Sequence, residues 1–129
     1  MNVGIVIVTH GKTGESLLEE AGFILGERLD DILAVAFNQS ENVQGGIDEI
    51  RRSIRSVDSG NGILVLTDLM GSSPSNLVND VLEDVHAVMV TGVNLGMLIR
   101  VCNYRRSNLE LLAQKAVDGG KKAVKIFQK

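Results

Sequence analysis

Tryptophan is absent, proline occurs once (Pro74) and cysteine once (Cys102), and aromatic residues make up only 3% of the chain. A single cysteine excludes an intramolecular disulfide and reads as a small buried hydrophobe in a reducing compartment. With so few aromatics, the core must be built from Val, Ile, Leu, Ala and Met, which suits a mostly parallel sheet covered by helices on both faces. No apolar run is long enough to span a membrane. No basic segment precedes a long apolar stretch at the N-terminus, so a signal peptide is not expected. Thirteen Lys and Arg against sixteen Asp and Glu leave a net charge of −3, which gives no support for nonspecific nucleic-acid binding. Repeats, low-complexity segments and linkers are also missing. What remains is 129 residues, 44% of them hydrophobic, the size of one domain spanning residues 1–129.

The apolar run Val3 to Val8 predicts a strand buried on both faces, and it stops at Thr9-His10-Gly11. A helix is expected from about Gly14 to Leu29, with Leu17, Leu18, Ala21, Ile24 and Leu25 as its apolar stripe. Ile32 to Phe37 reads as a second strand, and Ser40 as the N-cap of a second helix. In that helix Val43, Ile47, Ile50, Ile54 and Val57 recur at helical spacing, opposite a face bearing Asp48, Glu49, Arg51, Arg52 and Arg55. Ser59-Gly60-Asn61-Gly62 is a turn, and Ile63 to Leu66 a third strand ending in Thr67-Asp68. Ser73 before Pro74 predicts an N-cap followed by proline in the first helical position, with Leu77, Val78, Val81 and Leu82 facing inward. A fourth strand covers His86 to Val90, followed by Thr91-Gly92-Val93-Asn94. Helices then cover Leu95 to about Asn103 and Leu109 to about Val117. Gly119-Gly120 is expected to break the last helix, leaving Ala123 to Phe127 as a short final strand. Such alternation predicts a three-layer α/β/α fold around a mostly parallel sheet with right-handed crossovers.

If the sheet runs 2-1-3-4, the crossovers from the first and third strands diverge, and their C-terminal ends meet at the switch point where α/β folds bind ligands. His10 and Asp68 would then be neighbours. A carboxylate that accepts a hydrogen bond from one ring nitrogen fixes the tautomer and leaves the other nitrogen as a nucleophile. The helices beginning after Gly11 and at Ser73 offer unpaired N–H groups to an anion. Gly11 and Gly71 permit close backbone approach, and the Ser72 and Ser73 hydroxyls add donors. Histidine in such a cup suits receipt and release of a phosphoryl group.

Three segments carry a resemblance to a known family: Ile5-Val6-Ile7-Val8-Thr9-His10-Gly11, the stretch from Leu66 to Asn76, and Thr91-Gly92-Val93-Asn94-Leu95-Gly96-Met97-Leu98. Together they resemble the mannose-family enzyme IIA domain of the bacterial phosphoenolpyruvate-dependent sugar phosphotransferase system (PTS). The resemblance implies a phosphotransferase with phosphohistidine at His10 Nε2 and Asp68 holding Nδ1. It implies HPr, the histidine-containing phosphocarrier protein, as donor and an enzyme IIB domain as acceptor, here a separate chain. It further implies a cytoplasmic homodimer whose last strand, here Ala123 to Phe127, can run antiparallel and cross to the partner subunit. The membrane is reached only through IIC and IID components, and no metal, cofactor or nucleic acid is called for. Two positions depart from the pattern: Gly71-Ser72-Ser73 replaces Gly-Gly-Ser, and Ser75 stands where an aromatic residue is common, which bears on the docking partner.

Two other functions remain open at this point. One is a regulator read by its phosphorylation state rather than a transport component. The other is the IIA-like subunit that supplies phosphoryl groups to dihydroxyacetone kinase. A plain flavodoxin-like binding module would leave His10 unmodified. Elsewhere, His86 reads as structural, and Arg100, Arg105 and Arg106 as a solvated basic patch. Asn94 and Met97 are expected at the rim of the site or at a dimer interface, and Met70 in the core or at a docking contact.

Overall fold

A strand with no polar face must be covered on both sides, and β1 (Gly4–His10) is. In the computed structural model, which describes residues 2–37, 43–69, 73–82 and 85–128, this strand lies inside a four-stranded parallel sheet of order β2-β1-β3-β4. The other strands are β2 (Ile32–Phe37), β3 (Ile63–Thr67) and β4 (Ala87–Val90). The crossovers are α1 (Thr13–Leu25), α2 (Val43–Val57) and α3 (Ser73–Leu82), and α4 (Leu95–Asn103) and α5 (Leu109–Lys122) follow β4. Fold and strand order agree with the sequence reading.

Alternation along the strands sorts the core into two layers. Ile5 and Ile7 of β1, with Leu64 and Leu66 of β3, pack in one cluster with Ala21, Leu98, Val101, Leu112 and Ala116 from α1, α4 and α5. Val6 and Val8, with Ile63 and Val65, pack on the other side with Ile50 and Ile54 of α2 and Val78 and Val81 of α3. Each fully buried Val, Ile or Leu side chain contributes about 1.5–3 kcal/mol.

Four expectations change. First, α1 ends at Leu25 rather than near Leu29, because Gly26 adopts the left-handed conformation (φ 65°) and its amide closes on the Gly22 carbonyl. Phe23 and Ile24 then face outward, so Ile24 is not part of the inward stripe. Second, Gly119-Gly120 does not break α5. A Cβ on Gly119 would lie 2.5 Å from Arg100 Cβ, and one on Gly120 would lie 2.8 Å from Met97 Cε. The glycines therefore serve a close approach to α4 inside a continuing helix. Third, residues 124–128 join neither a helix nor the sheet in the single chain. Fourth, Arg105 is not a solvated cation. Its side chain is 12% exposed and bridges Asp31 Oδ2 at 2.8 Å and the Val3 carbonyl at 3.1 Å. Cys102 is partly buried, and burial pushes its thiol pKa up, as expected of an inert structural cysteine. The Ser40 cap and Met70 lie outside the described residues. Among the described residues, no helix is long and apolar enough to cross a membrane.

Gly62 leads into β3 with φ +89°, and a Cβ there would stand 2.9 Å from Leu109 Cδ2 and 3.1 Å from His86 Nδ1. Gly62→Ala should therefore lose about 1–3 kcal/mol from combined strain and overpacking. Urea unfolding measures this; an unshifted midpoint would contradict the packing described.

Candidate active site

The register between β1 and β3 sets the site. Val8 lies opposite Thr67, so the next residues of both strands emerge side by side at the C-terminal edge of the sheet. The His10 amide donates to Asp68 Oδ2 at 3.0 Å, and His10 Nδ1 lies 2.8 Å from the same oxygen. The second carboxylate oxygen, Oδ1, accepts from the Leu69 amide at 3.0 Å. The two residues the sequence singles out are therefore in direct contact.

Burial alone would raise the Asp68 pKa. The hydrogen bonds from the His10 amide and ring, the charge of the ring and the Leu69 amide together outweigh it and hold the carboxyl below its ordinary value of 3.8. The carboxylate is thus ionised at neutral pH and an acceptor only. That requires Nδ1 to carry the proton in the contact, which leaves the Nε2 lone pair free in the neutral ring. Among the described residues, nothing hydrogen-bonds Nε2, and the His10 side chain is 39% exposed against 17% for Asp68. The base-holding group is sheltered and the nucleophilic group can be reached.

Three loops converge here. Gly11 turns the chain out of β1 with φ +49°, a conformation that favours glycine. Its amide donates to the Phe37 carbonyl at 3.0 Å, so Gly11 contributes the turn and spends its N–H on β2. The loop after β4 is tied in by the Val93 amide, which donates to the Thr67 carbonyl at 2.8 Å. The loop after β3 leads to α3 at Ser73, which starts at the same edge. Gly71 and Ser72 lie outside the described residues, as does the Ser73 side chain.

Asn94 and Met97 both serve α4 within the chain. Asn94 Oδ1 caps α4 by accepting from the Met97 amide at 2.9 Å, and its Nδ2 donates to the Gly120 carbonyl at 3.0 Å. Met97 is buried in the core. His86 stands at the opposite end of the sheet, its carbonyl accepting from the Ile63 amide. Thr9, which the motif reading does not single out, is completely buried, and its hydroxyl accepts from the Gly14 amide at 2.7 Å. A hydroxyl residue closing an apolar strand directly before His10 was the available signal. Among the described residues, no three His, Cys, Asp or Glu side chains come together in a group that could hold a metal.

A family model described as EIIA-man, PTS system fructose IIA component, matches residues 4–117. The mannose-specific EIIAB component of the PTS from Escherichia coli K12 is 32% identical over 131 aligned positions, which cover 99% of this chain. The chain spans 40% of the length of that relative. Among solved structures, the mannose/sorbose-specific IIA subunit from Enterococcus faecalis superposes with a TM-score of 0.89 at 23% identity, covering 100% of this chain and 97% of its own. A PTS IIA protein associated with the fucose utilization operon of Streptococcus pneumoniae gives 0.85 at 24% identity, covering 98% and 93%. At these identities the two structures speak for the fold.

Linkage gives the site a testable signature. A carboxyl with a depressed pKa adds stability that is complete above its ordinary value and is lost as pH falls through the lower, folded value. Asp68→Asn should therefore be less stable than the parent at about pH 6, and the gap should close towards about pH 2. Chemical unfolding at the two pH values reads this; a gap that stays constant with pH would contradict the ionised pairing.

Proposed function

The chain belongs to the EIIA-man family of PTS IIA components, and from that premise we propose that it is a phosphoryl carrier that loads on His10. The observation carrying this reading is the 2.8 Å contact between His10 Nδ1 and Asp68 Oδ2, which orients an accessible Nε2. In the reaction, the Nε2 lone pair attacks the phosphorus of the phosphohistidine on HPr. The new N–P bond forms as the bond to the donor imidazole breaks, and the donor nitrogen keeps the electron pair. Positive charge develops on the His10 ring and is stabilised by the Asp68 carboxylate through the Nδ1 proton. The loop leading to α3, with Gly71, Ser72 and Ser73, supplies donors to the phosphoryl oxygens, and Gly11, with no side chain, lets them approach the backbone closely. The group then passes to a IIB partner, for sugar uptake through IIC and IID components. Residues 1–129 form one IIA domain that works in the cytoplasm.

The same reading includes a homodimer. Val124, Ile126 and Phe127 are 77%, 90% and 89% exposed, a costly arrangement for three large apolar side chains in sequence. Among the described residues, β4 has no strand on its outer side. Residues 123–127 cross to the partner subunit and cover both. Removal of residues 124–129 should turn a dimer into a monomer in sedimentation; an unchanged dimer would move the contact elsewhere.

Incubation with phosphoenolpyruvate, enzyme I and HPr, followed by mass measurement, tests the carrier chemistry. His10→Ala should keep its fold and take no phosphate. Asp68→Asn, which weakens a charge-assisted hydrogen bond, should still take it but about 10–100-fold more slowly. Phosphate on the His10→Ala protein would move the site, and an unchanged Asp68→Asn rate would remove Asp68 from the mechanism.

A further inference from the structure

The first turn of a helix carries N–H groups that need partners from outside the helix. In α1 the N-cap residue, Lys12, makes no side-chain cap hydrogen bond. The partner comes instead from β1: the Thr9 hydroxyl accepts from the Gly14 amide at 2.7 Å, in a fully buried contact. The fit is close. A Cβ on Gly14 would come within 2.9 Å of Ile7 Cγ2 and 3.0 Å of Thr9 Oγ1.

The chain between these two residues is the turn that presents His10. Three consecutive residues are each anchored to a different element: Thr9 through its side chain to α1, His10 through its amide to Asp68 after β3, and Gly11 through its amide to Phe37 of β2. Only the Thr9 anchor runs from a side chain that lies outside the reacting pair. We propose that Thr9 is a positioning residue for phosphoryl transfer. By capping α1 from the strand, it holds the turn so that His10 Nδ1 stays against Asp68 and Nε2 stays aimed outward. The inference rests on the carrier reading above for its rate effect, and on the structure alone for its effect on the imidazole.

Thr9→Val keeps the branched shape suited to a strand but removes the acceptor; Thr9→Ser keeps the acceptor and removes the methyl. Well below the unfolding temperature, single-turnover transfer from phospho-HPr should be about tenfold slower in Thr9→Val, the kinetic equivalent of one lost cap. The concentration of phospho-HPr giving half-maximal rate should stay nearly unchanged, and Thr9→Ser should recover most of the rate. Long-range proton–nitrogen NMR should find His10 in the Nδ1–H form in the parent and in Thr9→Ser, and a mixture of the two tautomers in Thr9→Val. This second readout needs no phosphate, so a parent protein that refuses phosphate overturns the carrier reading while the tautomer comparison still decides on Thr9. A Thr9→Val protein with parental rate and tautomer overturns the proposal. So does an equal loss in the Val and Ser variants. If Thr9→Val does not fold, amide exchange in the parent protein decides: Gly14 exchanging as slowly as the amides of β1 upholds the buried cap, and rapid exchange overturns it.

Discussion

Asp68 Oδ2 receives both the amide and the ring of His10, and everything else at this edge of the sheet follows from that shared oxygen. The backbone bond fixes where the turn after β1 stands relative to β3. The ring bond fixes which nitrogen of His10 carries the proton. Neither would form without the parallel pairing of β1 with β3, because His10 and Asp68 are far apart in sequence, His10 being the last residue of β1 and Asp68 the first beyond β3. The cost of desolvating the carboxylate is offset by its three hydrogen bonds, so the group stays ionised in a half-sheltered position. The site is thus a property of strand order, and strand order is a property of where the crossovers go.

The division of labour between the faces explains how so small a core supports this. The side chains of β1 and β3 alternate between two apolar layers, so both strands are buried up to Thr9 and Thr67 and held on both faces. Polar residues appear only at their C-terminal ends. Thr9 and Thr67 are completely buried there; Thr9 caps α1, and the Thr67 carbonyl anchors the loop after β4. The Asp68–His10 pair comes next, at the C-terminal edge of the sheet. A gradient from apolar strand to buried hydroxyl to sheltered acid and accessible imidazole gives the nucleophile a rigid base and an open face.

Where sequence reasoning succeeded, local pattern and global topology agreed. The alternation of strands and helical periodicity predicts a parallel α/β/α fold; the order 2-1-3-4 is a supposition at that level, and the observed order is what brings His10 to Asp68. It failed where a residue's role depends on a distant surface. Gly119 and Gly120 look like breakers until α4 is seen packed against them. Arg105 looks solvated until Asp31 and the Val3 carbonyl close over it. Thr9 reads in the sequence only as the residue at which the apolar run stops, because its partner amide comes from the first turn of α1. The segment from Ala123 to Phe127 has strand composition but, among the described residues of one chain, pairs with no strand.

The central claim is that Asp68 reserves Nδ1 and so directs the phosphoryl group to Nε2. The most direct test is NMR of nitrogen-labelled protein phosphorylated with phosphoenolpyruvate, enzyme I and HPr, reading which ring nitrogen of His10 couples to phosphorus. Coupling to Nε2, with the proton retained on Nδ1, is the predicted result. Phosphorus on Nδ1, or on any residue other than His10, would contradict the account.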